Sequence, residues 1–167
     1  MKSLIIYSSL TGNTKKIAEA IAKEVEDAEL LRVQDVEPSM LAHFDVIYIG
    51  YWVDKGDCDQ ASLKVMSHIT NQRIVLFGTT GASSSSTAYY EMIKHKVETH
   101  IPQVHLLGHL LLQGSVSDKL IDRYRAQAKE HPEDEHLMQQ IAAYEKGQSH
   151  PDEADIKEAI AFAHSIG

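Results

Sequence analysis

Hydrophobic and polar positions along this chain follow two periods that take turns. Leu4-Ile5-Ile6-Tyr7 is an unbroken apolar run, the pattern of a strand buried on both faces. Over residues 13–27 the period lengthens. Ile17, Ile21 and Val25 recur every four positions with Ala18 and Ala22 beside them, while Lys15, Lys16, Lys23 and Glu24 stay polar. That spacing predicts an amphipathic helix. Leu30–Val33 predicts a second strand, Pro38 opens a short helical turn, and Asp45–Gly50 predicts a third strand. Helical spacing returns over 59–70, with Leu63, Met66 and Ile69. A fourth strand follows at Ile74–Gly78, then a helix near 87–100 and a long apolar stretch from Val104 to Leu112. The last helix runs from about 152 to 166, with Asp152 after Pro151 at its start and Gly167 at its end.

Five strands alternating with helices predict an α/β fold: one doubly wound parallel sheet with helices on both faces. No linker is long enough to divide the chain, so residues 1–167 read as a single domain. The exception to the alternation is 118–149, a charged insert of two helical pieces broken at Pro132. Leu120, Tyr124 and Ala128 form one apolar stripe, and Leu137, Ile141 and Tyr144 another. Such stripes must cover something. Because the insert follows the carboxyl end of strand five, it is expected on the rim of the site, shaping access for a partner or substrate without contributing to cofactor affinity.

Composition narrows the classes of function. The 167 residues are 43% hydrophobic and 24% charged, ordinary for a folded protein and unlike a disordered one. A net charge of −8 repels phosphate backbones and anionic lipid, so neither nucleic acid nor a membrane is an expected partner. No apolar run approaches the roughly 20 residues that span a bilayer, and the first residues lack a signal-peptide pattern. The single cysteine, Cys58, cannot form an internal disulfide, and a cytoplasmic setting is expected. No metal site is expected either. His105 and His109 on one strand stand about 13 Å apart, too far to share an ion.

In an open α/β sheet, ligands bind outside the carboxyl ends of the strands where strand order reverses. For a five-stranded sheet ordered 2-1-3-4-5, that point lies between strands one and three. The loops to inspect are therefore 8–14, 51–60 and 79–86. The first, Ser8-Ser9-Leu10-Thr11-Gly12-Asn13-Thr14, sets hydroxyls and an amide around a glycine just before a helix. Unpaired N–H groups at that helix start, with its dipole, favour an anion the size of a phosphate monoester. A lone helix cap at Thr11 or Asn13 accounts for one polar residue there but not for five. Neither G-x-x-x-x-G-K nor G-x-G-x-x-G occurs, which disfavours a triphosphatase and a dinucleotide fold.

These residues carry a resemblance. Ser9-Leu10-Thr11-Gly12-Asn13-Thr14, between a first strand and a first helix, is similar to the phosphate loop of flavodoxins, Ser/Thr-x-Thr-Gly-x-Thr. Flavodoxins are themselves a type case of the switch-point rule. The order of elements agrees over the whole chain except the insert. The resemblance implies non-covalent binding of FMN and electron transfer to a redox partner protein, one with a basic docking face given the acidic residues Asp54, Asp57 and Asp59. Ser9, Leu10, Thr11, Gly12, Asn13 and Thr14 would hold the phosphate. From the second loop, Tyr51, Trp52, Val53, Asp54, Lys55 and Gly56 would meet the flavin. Trp52, the only tryptophan, would shield the ring, and the Gly56 turn would present a peptide able to flip toward flavin N5 on reduction. From the third loop, Thr79, Thr80 and Gly81 would offer backbone to the pyrimidine edge. This chain departs from the family in having no aromatic residue directly after Gly81, with Tyr89 and Tyr90 placed later on a helix. Two other readings remain: an FMN-dependent reductase acting on NAD(P)H, a quinone or a tetrapyrrole-type acceptor, and an accessory module with weak flavin binding.

Overall fold

The computed structural model describes residues 1–102 and 105–167. Strand β1 (Ser3–Tyr7) lies between β2 (Ala28–Arg32) and β3 (Val46–Asp54), parallel to both. A two-residue strand β4 (Asp57–Cys58) folds back antiparallel on the end of β3. Strand β5 (Arg73–Thr80) pairs with β3, and β6 (Leu106–Gln113) with β5, again parallel. The parallel path reads β2-β1-β3-β5-β6, which is the expected 2-1-3-4-5 order once the hairpin strand is set aside. The expected fifth strand began at Val104, which lies outside the described residues.

Among the described residues there are six α-helices: α1 (Asn13–Ala22), α2 (Gln60–Met66), α3 (Thr87–Glu98), α4 (Asp118–Glu130), α5 (Glu135–Lys146) and α6 (Glu153–Ile166). Successive strand side chains point to opposite faces, and both faces are covered. Ile5, Tyr48, Val75 and Phe77 meet Ile17 and Ile21 of α1 and Ala159 and Ala163 of α6. On the other face Leu4, Ile49 and Leu76 meet Met66 of α2 and Ile93 and Val97 of α3. Each such side chain stabilises the fold by about 1.5–3 kcal/mol, and burial on two sides explains why the strands read as unbroken apolar runs.

The insert keeps a core of its own. Ala128 of α4 packs with Leu137 and Ile141 of α5, and Tyr124 leans on them. Arg125 donates to Glu145 at 3.0 Å and ties the two helices on the outside. The break falls around Pro132, as the sequence predicts, with Asp134 accepting from Leu137 N to start α5.

Several elements end elsewhere than expected: α2 stops at Met66 instead of 70, β5 runs on to Thr80, and β2 spans Ala28–Arg32 instead of 30–33. Helix α1 stops at Ala22 instead of 27, and the chain then turns through Asp27 at φ 53° to enter β2. Strand β3 runs four residues past Gly50. Its Tyr51 and Trp52 still pair with β5, and Val53 and Asp54 pair with β4.

Candidate functional site

A cleft of about 940 Å³ opens at the carboxyl ends of the strands. That is near the upper end of the roughly 300–1,000 Å³ typical of small-molecule sites. The three loops singled out from the sequence converge on it. Every candidate residue except Gly12 and Tyr51 lines it.

The first loop wraps the start of α1. Gly12 takes φ +92°, a left-handed conformation that lets the chain turn sharply into the helix. Gly12, at the N-cap position of α1, has no side chain to cap it, and Ser86 makes no capping bond to α3, whereas Asp59, Ser117, Asp134 and Asp152 cap α2, α4, α5 and α6. Neither Thr11 nor Asn13 therefore serves as a plain helix cap. Ser9 Oγ accepts from Gly12 N at 3.0 Å and from Lys15 N at 3.4 Å, which fixes the loop beneath the helix start. Thr11 Oγ1 accepts from Asn13 Nδ2 at 2.8 Å, leaving its own proton to donate. Leu10 is exposed at the tip.

Two residues of this loop are engaged elsewhere. Asn13 donates to Ser115 O at 2.6 Å and accepts from Ser115 Oγ at 3.0 Å, so it binds the phosphate-loop candidate to the segment after β6. Thr14 is 1% exposed. Its hydroxyl donates to Tyr51 O at 3.3 Å and shares a 2.9 Å hydrogen bond with Thr79 Oγ1. What Thr14 presents to the cleft is mainly backbone.

The second loop is a β-hairpin. Lys55 (φ 52°) and Gly56 (φ 82°) both take positive φ between the paired residues Asp54 and Asp57, the signature of a two-residue type I′ turn. The hairpin carries Trp52 to the cleft wall. Its base is locked by Asp59, a buried carboxylate that accepts from Ser8 Oγ (2.6 Å), Trp52 N (3.2 Å), Ser62 N (3.2 Å) and Ser62 Oγ (2.9 Å). Asp57 pairs with His100 Nε2 at 2.8 Å. Burial works against its charge, but the bonds from His100 and Cys58 N outweigh it and hold the carboxyl below its usual range. Of the three acids expected on an open rim, Asp59 is buried and Asp57 is paired. Burial, with the charges of Asp57 and Asp59, pushes the Cys58 thiol up to about 12, so it is no nucleophile at neutral pH.

Tyr51 points away from the cleft. Its side chain is fully buried, with the hydroxyl 2.6 Å from His109 Nε2, and its backbone oxygen is the acceptor for Thr14. In the third loop, Thr80 Oγ1 accepts from Ala82 N at 3.3 Å, and Tyr90 donates its hydroxyl to Ala82 O at 2.8 Å.

The cleft also holds residues that loop composition did not reveal. Ser115, Val116 and Ser117 close one side, Tyr89 enters from the first turn of α3, and Leu120, Tyr124 and Tyr144 come from the insert. Helical spacing marked Leu120, Tyr124 and Tyr144 as apolar stripe residues. Only the tertiary fold shows that the stripe meets this cleft.

Comparison with known proteins agrees with this geometry. The profile described as flavodoxin domain matches residues 4–164. The chain is 42% identical over 172 residues to BilS, a flavodoxin-like domain-containing protein of Clostridioides difficile strain CD3, with 99% of this chain and 96% of that protein covered. The oxidised Flavodoxin 1 of Bacillus cereus superposes with a TM-score of 0.56 at 17% identity, covering 99% of this chain and 97% of that one. A flavoprotein of Lactobacillus acidophilus NCFM solved in complex with FMN gives 0.52 at 20% identity, covering 66% of this chain and 92% of that one. The fold is that of the flavodoxins. This chain belongs to the flavodoxin domain family.

Proposed function

We propose that the cleft binds one FMN and that the protein carries electrons to a redox partner. The observation that supports this best is the start of α1. A helix whose N-cap residue is a glycine faces a loop of hydroxyls at the edge of a cleft walled by the chain's only tryptophan. The first-turn N–H groups, the Thr11 hydroxyl and the Ser9 hydroxyl would meet the phosphate, where charge-assisted hydrogen bonds and the helix dipole act together. One phosphate nest without a second glycine fingerprint fits a mononucleotide and not FAD. Bound FMN would supply the electron chemistry, and the protein would supply position and exclusion of water. Trp52 would cover the ring, while Asp59 holds the hairpin that presents it. Thr79, Thr80 and Gly81 would bring backbone to the ring edge.

The net charge of −8 suits a partner with a basic docking face. Among the described residues no helix is long and apolar enough to cross a membrane, and a cytoplasmic carrier is the reading proposed. One observation favours a second reading: the cleft continues past Trp52 to α4 and α5, space that a reductase would use for a second small molecule.

The test is direct. Purified protein is expected to be yellow and to release FMN on denaturation, identified by chromatography. It is expected not to oxidise NAD(P)H unless a reductase is added. A colourless preparation that binds no added FMN refutes the cofactor, released FAD refutes the mononucleotide, and turnover of NAD(P)H without a reductase selects the second reading.

A further inference from the structure

The third loop lacks an aromatic residue of its own after Gly81, being Ala82 and then four serines. That leaves the β6 side of the cleft without a flat apolar surface, while Trp52 supplies one on the β3 side. The insert fills the gap. Tyr144 of α5 stands directly on Gly81: a Cβ built at that glycine would lie 3.4 Å from its Cε1. The same Cβ would lie 2.4 Å from Val116 Cγ1, so any side chain at 81 would push the root of the insert outward. Gly81 is small because the insert closes over it.

The Tyr144 ring is held, and it is held at the cleft. Gln140 Nε2 donates to its hydroxyl at 3.0 Å, and the Tyr124 ring packs beside it with centroids 5.5 Å apart. Tyr144 belongs to neither of the two sheet cores, unlike Tyr89, whose ring packs against the α3-side core. A half-buried, immobilised aromatic facing a ligand cleft, with no core to serve, is a surface for stacking. Trp52 and Tyr144 both line the cleft at the carboxyl end of β5. The first sits on β3 opposite Thr79, and the second lies over Gly81.

We infer that Tyr144 of the helical insert is the second aromatic wall of the flavin site, so the insert contributes to cofactor binding and does more than shape access to it. This rests on the flavin reading above and adds a residue from outside the alternating α/β core.

The test uses the full chain stripped of flavin and titrated with FMN and with riboflavin, which has the ring but no phosphate. Tyr144→Ala is expected to weaken both ligands by the same factor, roughly tenfold, the range for losing one aromatic stacking partner. Tyr144→Phe keeps the ring and is expected to retain wild-type affinity. Thr11→Ala, at the phosphate end, is expected to weaken FMN and leave riboflavin unchanged. If Tyr144→Ala binds riboflavin as the wild type does, the inference is wrong. If Tyr144→Phe loses as much as Tyr144→Ala, the hydroxyl and its Gln140 bond matter instead of the ring, and the inference is again wrong. Should Tyr144→Ala loosen α5, Tyr144→Trp decides: a larger stacked ring must shift the visible band of the bound flavin, and an unshifted band overturns the proposal. A wild-type chain that binds neither ligand overturns the flavin reading itself, a result distinct from the failure of Tyr144 alone.

Discussion

Acid weakens this fold through one buried imidazole, by an amount that follows from its surroundings. The His109 side chain is 4% exposed. Burial pushes its pKa down to about 3, with the charge of Lys94 acting in the same direction. Tyr51, whose hydroxyl burial holds well above its ordinary value, stays protonated and donates to Nε2. Nδ1 lies 3.5 Å from Glu98 Oε1 without a hydrogen bond to it, and burial outweighs the pull of that carboxylate. In the unfolded chain the same histidine titrates near its reference value of about 6.5. Folded pKa below unfolded pKa means that the unfolded state binds the proton more readily. The stability is therefore complete above about pH 6.5 and is lost as pH falls toward 3, at about 1.4 kcal/mol per unit. Between pH 7 and pH 5 the loss is about 2 kcal/mol. That is a large part of a typical total of about 5–15 kcal/mol. His109→Gln offers Tyr51 an amide oxygen and cannot titrate. Urea unfolding of both proteins at pH 7 and pH 5 is expected to show the wild type losing about 2 kcal/mol more than the variant. Equal losses would refute the assignment of a neutral, buried His109.

Other substitutions separate binding from support. Thr11→Ala removes a hydroxyl free to donate to a phosphate, so FMN affinity is expected to fall by roughly tenfold to a hundredfold in a fluorescence titration, and an unchanged dissociation constant contradicts the phosphate role. Thr14→Ala leaves Tyr51 O and Thr79 without a buried partner and is expected to cost about 1–3 kcal/mol of stability in urea, with the smaller effect on affinity; the reverse balance would show Thr14 acting on the ligand. Asp59→Asn replaces a carboxylate that accepts from four donors with a group that cannot satisfy them all, at a cost of about 2–3 kcal/mol read from thermal or urea unfolding; a neutral substitution would show that the hairpin is held by other means. Replacing 118–149 by a short Gly-Ser bridge is expected to leave the sheet folded by circular dichroism, because Ala128, Leu137 and Ile141 pack in a cluster of their own; an insoluble or unfolded product shows the insert to be part of the main core.

The sheet was legible because its signal is redundant. Five mostly apolar runs, the three central ones buried on both faces, survive errors of a residue or two at their ends. The loop at 8–14 was legible for a different reason: polar residues crowd around Gly12 at a place where sheet geometry requires a ligand site. What stayed hidden were features decided between distant segments. Asp54-Lys55-Gly56-Asp57 reads as an open acidic turn, but pairing of Val53 with Cys58 makes it a hairpin. Asp59 looks like one more surface carboxylate until Ser8, 51 residues away, donates to it. Asn13 and Thr14 match a phosphate-loop pattern by type and position, while their side chains are taken up by Ser115, Tyr51 and Thr79. Tyr144 was visible as a stripe residue, yet nothing local says that its stripe ends over Gly81.

The reciprocal pair of hydrogen bonds between Asn13 and Ser115 joins two parts of the chain that are 102 positions apart. One is the start of α1; the other is the stem from which the insert rises. A side chain that belongs to both cannot move with only one. Ordering either end lowers the entropy left to lose at the other, and linkage makes the benefit equal in both directions. An anion that settled at α1 would by this argument steady the helices that line the cleft, and anything that held those helices would tighten the grip on the anion by the same factor. The start of α1 and the stem of the insert are braced against one another through that asparagine.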